Sequence, residues 1–295
     1  RYNNVNVRDE WIGRSSRRRV WETPAGTLAE LFRYDAWGVS CYNDEYRLKS
    51  PDDFRIYEAI LEAEEWYWDQ SGYERDIEAV GGRGIPQFYF RRSPIQRLFI
   101  EDMGFENAIF MMHDHPRVIE RYLEVATTAE DAMYDVLCSA PIEILNFGDN
   151  IDHHMDSPRI WCEHLQVHYE KRVEQLRNAG KKTHIHIDGA MKLLIREISE
   201  SPFDGIEAPT PLPQGDVTLE EISEALAEKV CLDGIPAIFF LPIYPVETLI
   251  KCVEEVVNLF HPRLVLGISD EIPPDGDIER VRLIGEMVRE MYPQH

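Results

Sequence analysis

Long apolar runs are missing from this chain, and so is any excess of positive charge. No stretch of ~18 consecutive apolar residues occurs, so the sequence predicts no membrane-spanning helix, and no secretory signal pattern stands out. Lys and Arg number 31 against 54 Asp and Glu, a formal net charge of −23. A field of that sign repels polyphosphate and excludes nucleic acid as the expected partner. The five cysteines, Cys41, Cys138, Cys162, Cys231 and Cys252, are scattered without a Cys-x-x-Cys pair. That usage predicts reduced thiols and a cytoplasmic setting rather than a disulfide scaffold. No Gly-x-Gly-x-x-Gly turn follows a strand pattern, so no nucleotide cofactor is expected. A Gly-x-Ser-x-Gly elbow for a serine nucleophile is also lacking, as are repeats of fixed period.

What is present is a globular composition, 44% hydrophobic and 29% charged over 295 residues, long enough to bury a large core. Residues 1–80 read as irregular and aromatic-rich, holding Trp11, Trp21, Trp37, Trp66 and Trp68. Within them, Asn43-Asp44 between β-formers predicts a short hairpin. "RSSRRR" (Arg14 to Arg19) predicts a solvated basic segment. Ser50 and Pro51 open a helix. Beyond "GGRG" (81–84), strand patterns at 85–90, 142–147, 183–187, 205–208, 236–242 and 263–269 each lead into a helical pattern. One long helix is expected from Asp114, as its cap, through Leu137. Trp161, Leu165, Tyr169, Val173 and Leu176 form a helical stripe. Thr218 with Glu221 makes a capping box, and Val246 to Phe260 is the clearest helix.

About six strand–helix units in succession demand a parallel sheet covered by helices. The expected architecture is a single α/β domain over 1–295, a (β/α)8 TIM-type barrel. Its first strand or strands would lie in residues 1–80 or upstream of Arg1, since a start at Arg1 rather than methionine predicts preceding sequence.

Function in such barrels gathers at the C-terminal ends of the strands. "THIHIDGAM" (183–191) alternates isoleucine with His184, His186 and Asp188. Period-two geometry puts that trio on one face and Ile185 and Ile187 on the other. His184, nearer the middle, reads as a hydrogen-bonded interior histidine, whereas His186 and Asp188 read as functional. Asp149, Glu207, Tyr244 and Asp270 fall at other strand ends. One imidazole with carboxylates is a nitrogen/oxygen donor set for a divalent metal such as zinc, manganese or iron. Asp149 and Glu207 are the acid/base candidates, and Arg91 and Arg92 could clamp a substrate carboxylate.

At "GDNIDHHMDSPRIW", "HIDGAM", "GIPAIFFLP" and "LVLGISDEIPPDGDIERVR" the chain resembles the uroporphyrinogen decarboxylase superfamily, which includes methyltransferases of corrinoid-dependent pathways. The resemblance runs from "ETPAGTLAE" (22–30) to the end and implies a (β/α)8 barrel with its site in the mouth. The methyltransferase branch binds zinc through a His-x-Cys motif and a later cysteine. The matching positions here are His186, Asp188 and Asp270 as metal ligands, with aspartate in place of both cysteines. Carboxylates donate less charge than thiolates and leave a stronger Lewis acid. What the resemblance implies is a metal-assisted methyltransferase acting on a small-molecule substrate, with a corrinoid protein as partner. The decarboxylase branch uses no metal and holds a polycarboxylated tetrapyrrole with an arginine-bearing N-terminal loop, for which residues 1–80 offer no counterpart. Decarboxylation therefore ranks second, with Asp149 or Asp270 as proton donor. A non-catalytic ligand-binding barrel is the third reading. The aromatic-rich start would either cover the open end of the barrel or build a homodimer contact.

Overall fold

A computed structural model describes residues 1–269 and 271–292. Asp270, one of the expected metal ligands, lies outside them. The backbone forms two compact units, residues 1–86 with 91–142 and residues 87–90 with 143–295.

In the first unit, residues 1–80 are not irregular. Strands β1 (Asn6–Ile12), β2 (Ser16–Thr23), β3 (Gly26–Tyr34) and β4 (Cys41–Glu45) form an antiparallel sheet in the order β1-β2-β3-β4. Their charge density disguises them as loop. Arg17, Arg18 and Arg19 of the basic run sit in β2, with Arg14 in the turn before it, and alternate side chains of the strand face opposite sides. Arg19 pairs with both oxygens of Asp9 at 2.7 and 2.9 Å, and Arg17 lies over the Phe32 ring at 4.9 Å. Asn43 and Asp44 lie inside β4 rather than in a turn. The chain reverses before them, where the Asp35 carboxylate accepts the Trp37 and Val39 amides.

Helix α1 (Pro51–Glu62) begins where the Asp53 carboxylate accepts the Ser50 amide at 2.8 Å, and it buries Phe54, Tyr57, Ile60 and Leu61. After α2 (Gln70–Val80), α3 (Pro94–Arg97) runs into a π turn at Leu98–Asp102, and α4 (Phe105–Asp114) follows. The expected single long helix is two, α5 (Pro116–Ala129) and α6 (Asp131–Ser139), and His115, not Asp114, is the cap. Beside the break the Thr128 hydroxyl bonds back to the Glu124 carbonyl, a contact that weakens and bends helices.

The second unit holds β5 (Gln87–Tyr89), β6 (Ile144–Ile151), β7 (Lys182–Ile187), β8 (Gly205–Glu207), β9 (Val230–Pro236) and β10 (Leu264–Ser269), all parallel, in the order β10-β9-β8-β7-β6-β5. The strand expected at 236–242 is displaced: β9 ends at Pro236, and Ala237–Phe240 is a 3-10 turn. Asp233-Gly234 reads as a turn, and both residues have positive φ (79° and 91°), yet they lie inside β9. An apolar run such as "AIFF" cannot be told from a strand by periodicity alone.

The helices of this unit match the sequence patterns closely. α7 (Pro158–Ile160) passes through a π turn at Trp161–Leu165 into α8 (Gln166–Asn178), and the whole stripe from Trp161 to Leu176 is buried. α9 (Ile195–Glu200) and α10 (Leu219–Leu226) follow, the latter with the Thr218–Glu221 capping box. α11 (Val246–Phe260) and α12 (Ile278–Met291) complete the set. Ile185 and Ile187 are fully buried, and Phe147 packs edge-on against Tyr169 and Phe203. Among the described residues no helix is long and apolar enough to cross a membrane.

The sheet is curled. Tyr89 on β5 touches Glu207 on β8 at 2.7 Å, whereas a flat sheet would hold strands three places apart ~14 Å from each other. The result is a half-barrel of six strands. Of the two places expected for the missing strands, residues 1–80 or upstream of Arg1, the first does not supply them, because those residues form their own antiparallel sheet.

Candidate active site

Register builds the site. β6 and β7 set Asn146 opposite His184, and β7 and β8 set His186 opposite Glu207. Side-chain alternation then turns Asn146, His184, His186 and Glu207 to the concave side, away from the helix-facing isoleucines.

The Glu207 carboxylate is the focus, at only 6% exposure. Its Oε2 accepts Asn146 Nδ2 at 2.5 Å and His186 Nδ1 at 2.9 Å. The Tyr89 hydroxyl lies 2.7 and 2.8 Å from its two oxygens, and Gln87 Nε2 is 3.4 Å from Oε1. Burial alone would push this carboxyl up. Donation from His186, Asn146 and Tyr89, with the nearby His184, outweighs burial and holds it down at about 2. Glu207 is therefore ionised at neutral pH, an acceptor and a fixed charge, and not the proton donor that sequence reasoning allowed.

An ionised carboxylate has no proton to give, so His186 Nδ1 must carry the hydrogen of that contact. In the neutral ring the lone pair then sits on Nε2, which faces Asp188 Oδ1 at 3.9 Å. Beside this cluster His184 is 3% exposed, and neither ring nitrogen has a hydrogen-bond partner among the described residues. Burial holds its pKa below the usual histidine value. The expected hydrogen-bonded interior histidine is interior, but not bonded.

The family model for uroporphyrinogen decarboxylase (URO-D) matches residues 98–291, about two thirds of the chain. The chain belongs to the uroporphyrinogen decarboxylase family. Among solved structures, this family member is similar to a methyltransferase from Methanosarcina mazei, with a TM-score of 0.59 at 14% identity, covering 86% of this chain and 73% of that one. A B12-independent methionine synthase from Shewanella sp. W3-18-1, in complex with selenomethionine, matches with a TM-score of 0.49 at 11% identity, covering 78% and 69%. No curated protein matches.

The other expected site residues of this uroporphyrinogen decarboxylase family member are dispersed. Asp149 is fully buried on the side of β6 that carries Phe147, and it accepts the Tyr169 hydroxyl at 2.5 Å. Arg91 is paired with both oxygens of Glu64 at 2.5 Å and stacks on Trp66, and Arg92 bonds Glu101 at 2.6 Å. Both guanidinium groups are thus engaged within the first unit. The Tyr244 ring packs edge-on against Phe239, and its carbonyl accepts Arg280 at 2.7 Å. Among the described residues no three His, Cys, Asp or Glu side chains form a group that could hold a metal. Sequence reasoning missed Tyr89 and Asn146. The signal for Asn146 was a lone amide in the apolar run "ILNF", at the inward position of the period.

Proposed function

We propose that this chain is a methyltransferase of its family, acting on a small molecule with His186 at its centre and Glu207 orienting it. The observation that carries the reading is the Glu207–His186 contact at 2.9 Å. A carboxylate on one ring nitrogen fixes tautomer and ring angle and raises the basicity of the other, the arrangement that supports a metal-binding histidine. His186 Nε2 and Asp188 offer two donors of the nitrogen/oxygen kind that suits a divalent ion, zinc first among them. Their 3.9 Å separation is somewhat wider than the ~3.4 Å between tetrahedral ligands ~2.1 Å from an ion. They fit as part of a set, and Asp270 is proposed as the third ligand. A bound ion would act as a Lewis acid on the substrate.

The chain's own residues do the rest. Glu207 keeps the His186 ring from turning, Asn146 and Tyr89 keep Glu207 from turning, and the curled sheet buries Asn146 and Glu207 away from water. Tyr244, in the loop after β9, is proposed to touch the substrate. The methyl carrier in this reading is a corrinoid on a separate protein. Decarboxylation ranks second, since the carboxylate anchors it would need, Arg91 and Arg92, are already paired with Glu64 and Glu101.

Metal analysis of the purified chain, run with a methylcobalamin consumption assay, tests the proposal. One ion per chain, lost in both His186→Ala and Asp188→Ala together with methyl transfer, supports it. Metal-independent turnover of uroporphyrinogen would replace it with the decarboxylase reading.

A further inference from the structure

His186 is the penultimate residue of β7, so the strand and Glu207 hold it, but Asp188 lies just past the strand's end at Ile187. Its loop turns at Gly189, φ 71°, and enters a 3-10 turn at Lys192–Leu194. Neighbouring loops grip that backbone from two sides. From the loop after β6, Asp152 Oδ2 accepts the Ala190 amide at 2.8 Å, and the His153 amide donates to the Ala190 carbonyl at 2.8 Å. From the loop after β8, Asp216 Oδ1 accepts the Met191 amide at 2.8 Å and the Lys192 amide at 3.1 Å. The grips are linked, since His153 Nδ1 lies 3.4 Å from Asp216 Oδ2. Asp152 is itself fixed, because its Oδ1 accepts the His154 amide at 2.7 Å. Glycine is required at 189, where φ is left-handed and a β-carbon would run into Asp152 Oδ2.

We infer that Asp152 and Asp216 are positioning residues that hold Asp188 within reach of His186 Nε2. The inference rests on the reading of His186 and Asp188 as metal ligands. Neither Asp152 nor Asp216 is a ligand in it. Each acts through the backbone on either side of Gly189, and together they do for Asp188 what Glu207 does for His186. A ligand on a loose loop must be ordered when the ion binds, which weakens affinity by the entropy of fixing it. Here three amides and one carbonyl are tied down in the folded chain beforehand, so the donor pair meets the ion already in place. Charge argues for the same role. Two further carboxylates beside the loop that carries Asp188 bring like charges together in a chain of net charge −23. Contacts that served stability alone would not gather acids there, whereas acids are the strongest acceptors for backbone amides.

Two measurements on the full chain test this: zinc affinity by titration calorimetry, and amide hydrogen exchange of the metal-free protein by NMR. Asp152→Ala should speed exchange at Ala190, and Asp216→Ala at Met191 and Lys192, each by about tenfold or more. Both should weaken zinc binding by about 10–100-fold, as loss of a group that orients a ligand does. Asp152→Asn and Asp216→Asn keep one acceptor oxygen and should stay within about threefold of the parent in zinc affinity. The proton on His186 Nδ1 should be unmoved in all four, which separates a loosened loop from a damaged sheet. Zinc affinity within about twofold of the parent in both alanine variants overturns the inference. So does exchange at residues 190–192 that is the same in parent and variants. A parent chain that takes up no zinc sinks the metal reading instead, and the exchange rates then decide the grip by themselves: faster in the variants upholds it, unchanged refutes it.

Discussion

Replacing Glu207 with glutamine keeps its shape but removes its charge and turns one acceptor oxygen into a donor, facing groups that are themselves donors. The cost can be worked from the folded pKa. A carboxyl group held at about 2 in the native chain, against ~4.3 when unfolded, makes the native state ~3 kcal/mol more stable at neutral pH. The sign is that of a depressed carboxylate: the contribution is present above pH ~4.3 and is lost as pH falls toward 2. Roughly half of it is gone by pH 3. Urea unfolding of metal-free protein should therefore show Glu207→Gln less stable by at least ~3 kcal/mol at pH 7, with the deficit shrinking between pH 5 and pH 3. Tyr89→Phe, which deletes one donor and leaves the charge, should cost less, ~1–2 kcal/mol. Should Glu207→Gln fall within ~0.5 kcal/mol of the parent at pH 7, with an unchanged acid slope, the cluster does not hold as described.

Three further outcomes are expected. Glu30 is 1% exposed, and burial pushes its carboxyl up to about 7 despite Arg47 at 2.9 Å; its stabilising effect is full below the unfolded value and fades as pH rises through 7. Glu30→Gln should remove ~2–3 kcal/mol of the stability difference between pH 5 and pH 8, read from urea midpoints. Gly189 has φ of 71°, and a β-carbon there would run into Asp152 Oδ2, so Gly189→Ala should cost ~2–3 kcal/mol in thermal unfolding and disturb the Asp188 loop. Tyr169→Phe takes the hydroxyl from the buried Asp149 and should cost ~1–3 kcal/mol, an effect that a purely surface role for Asp149 would not produce.

Much of the second unit could be read from residue order. The stripe from Trp161 to Leu176, the Thr218–Glu221 box and the isoleucine–histidine alternation of β7 are each a local rule obeyed locally. They gave helix positions, a cap and the inward face of the site. Where reading failed, the deciding force was tertiary. β1 to β4 carry their charges in cross-strand pairs such as Arg19–Asp9, which look like loop until the partner strand is known. Asp233-Gly234 mimics a turn but sits within a paired strand. Tyr89 joined the site only because the sheet curls, and curl has no signature in one strand. Asp149 and Glu207 look alike as acids at strand ends. One lies on the helix side with Tyr169 and the other on the concave side with His186, a difference of strand parity and backbone twist, with φ of 52° at Asn150 just beyond Asp149.

The most direct test of the account is the tautomer of His186, read by nitrogen-15 NMR of imidazole-labelled protein near neutral pH. The proton should reside on Nδ1, fixed there by Glu207, and lose that preference in Glu207→Gln. A proton found on Nε2 of the parent chain, or a tautomer unmoved by the substitution, would contradict it.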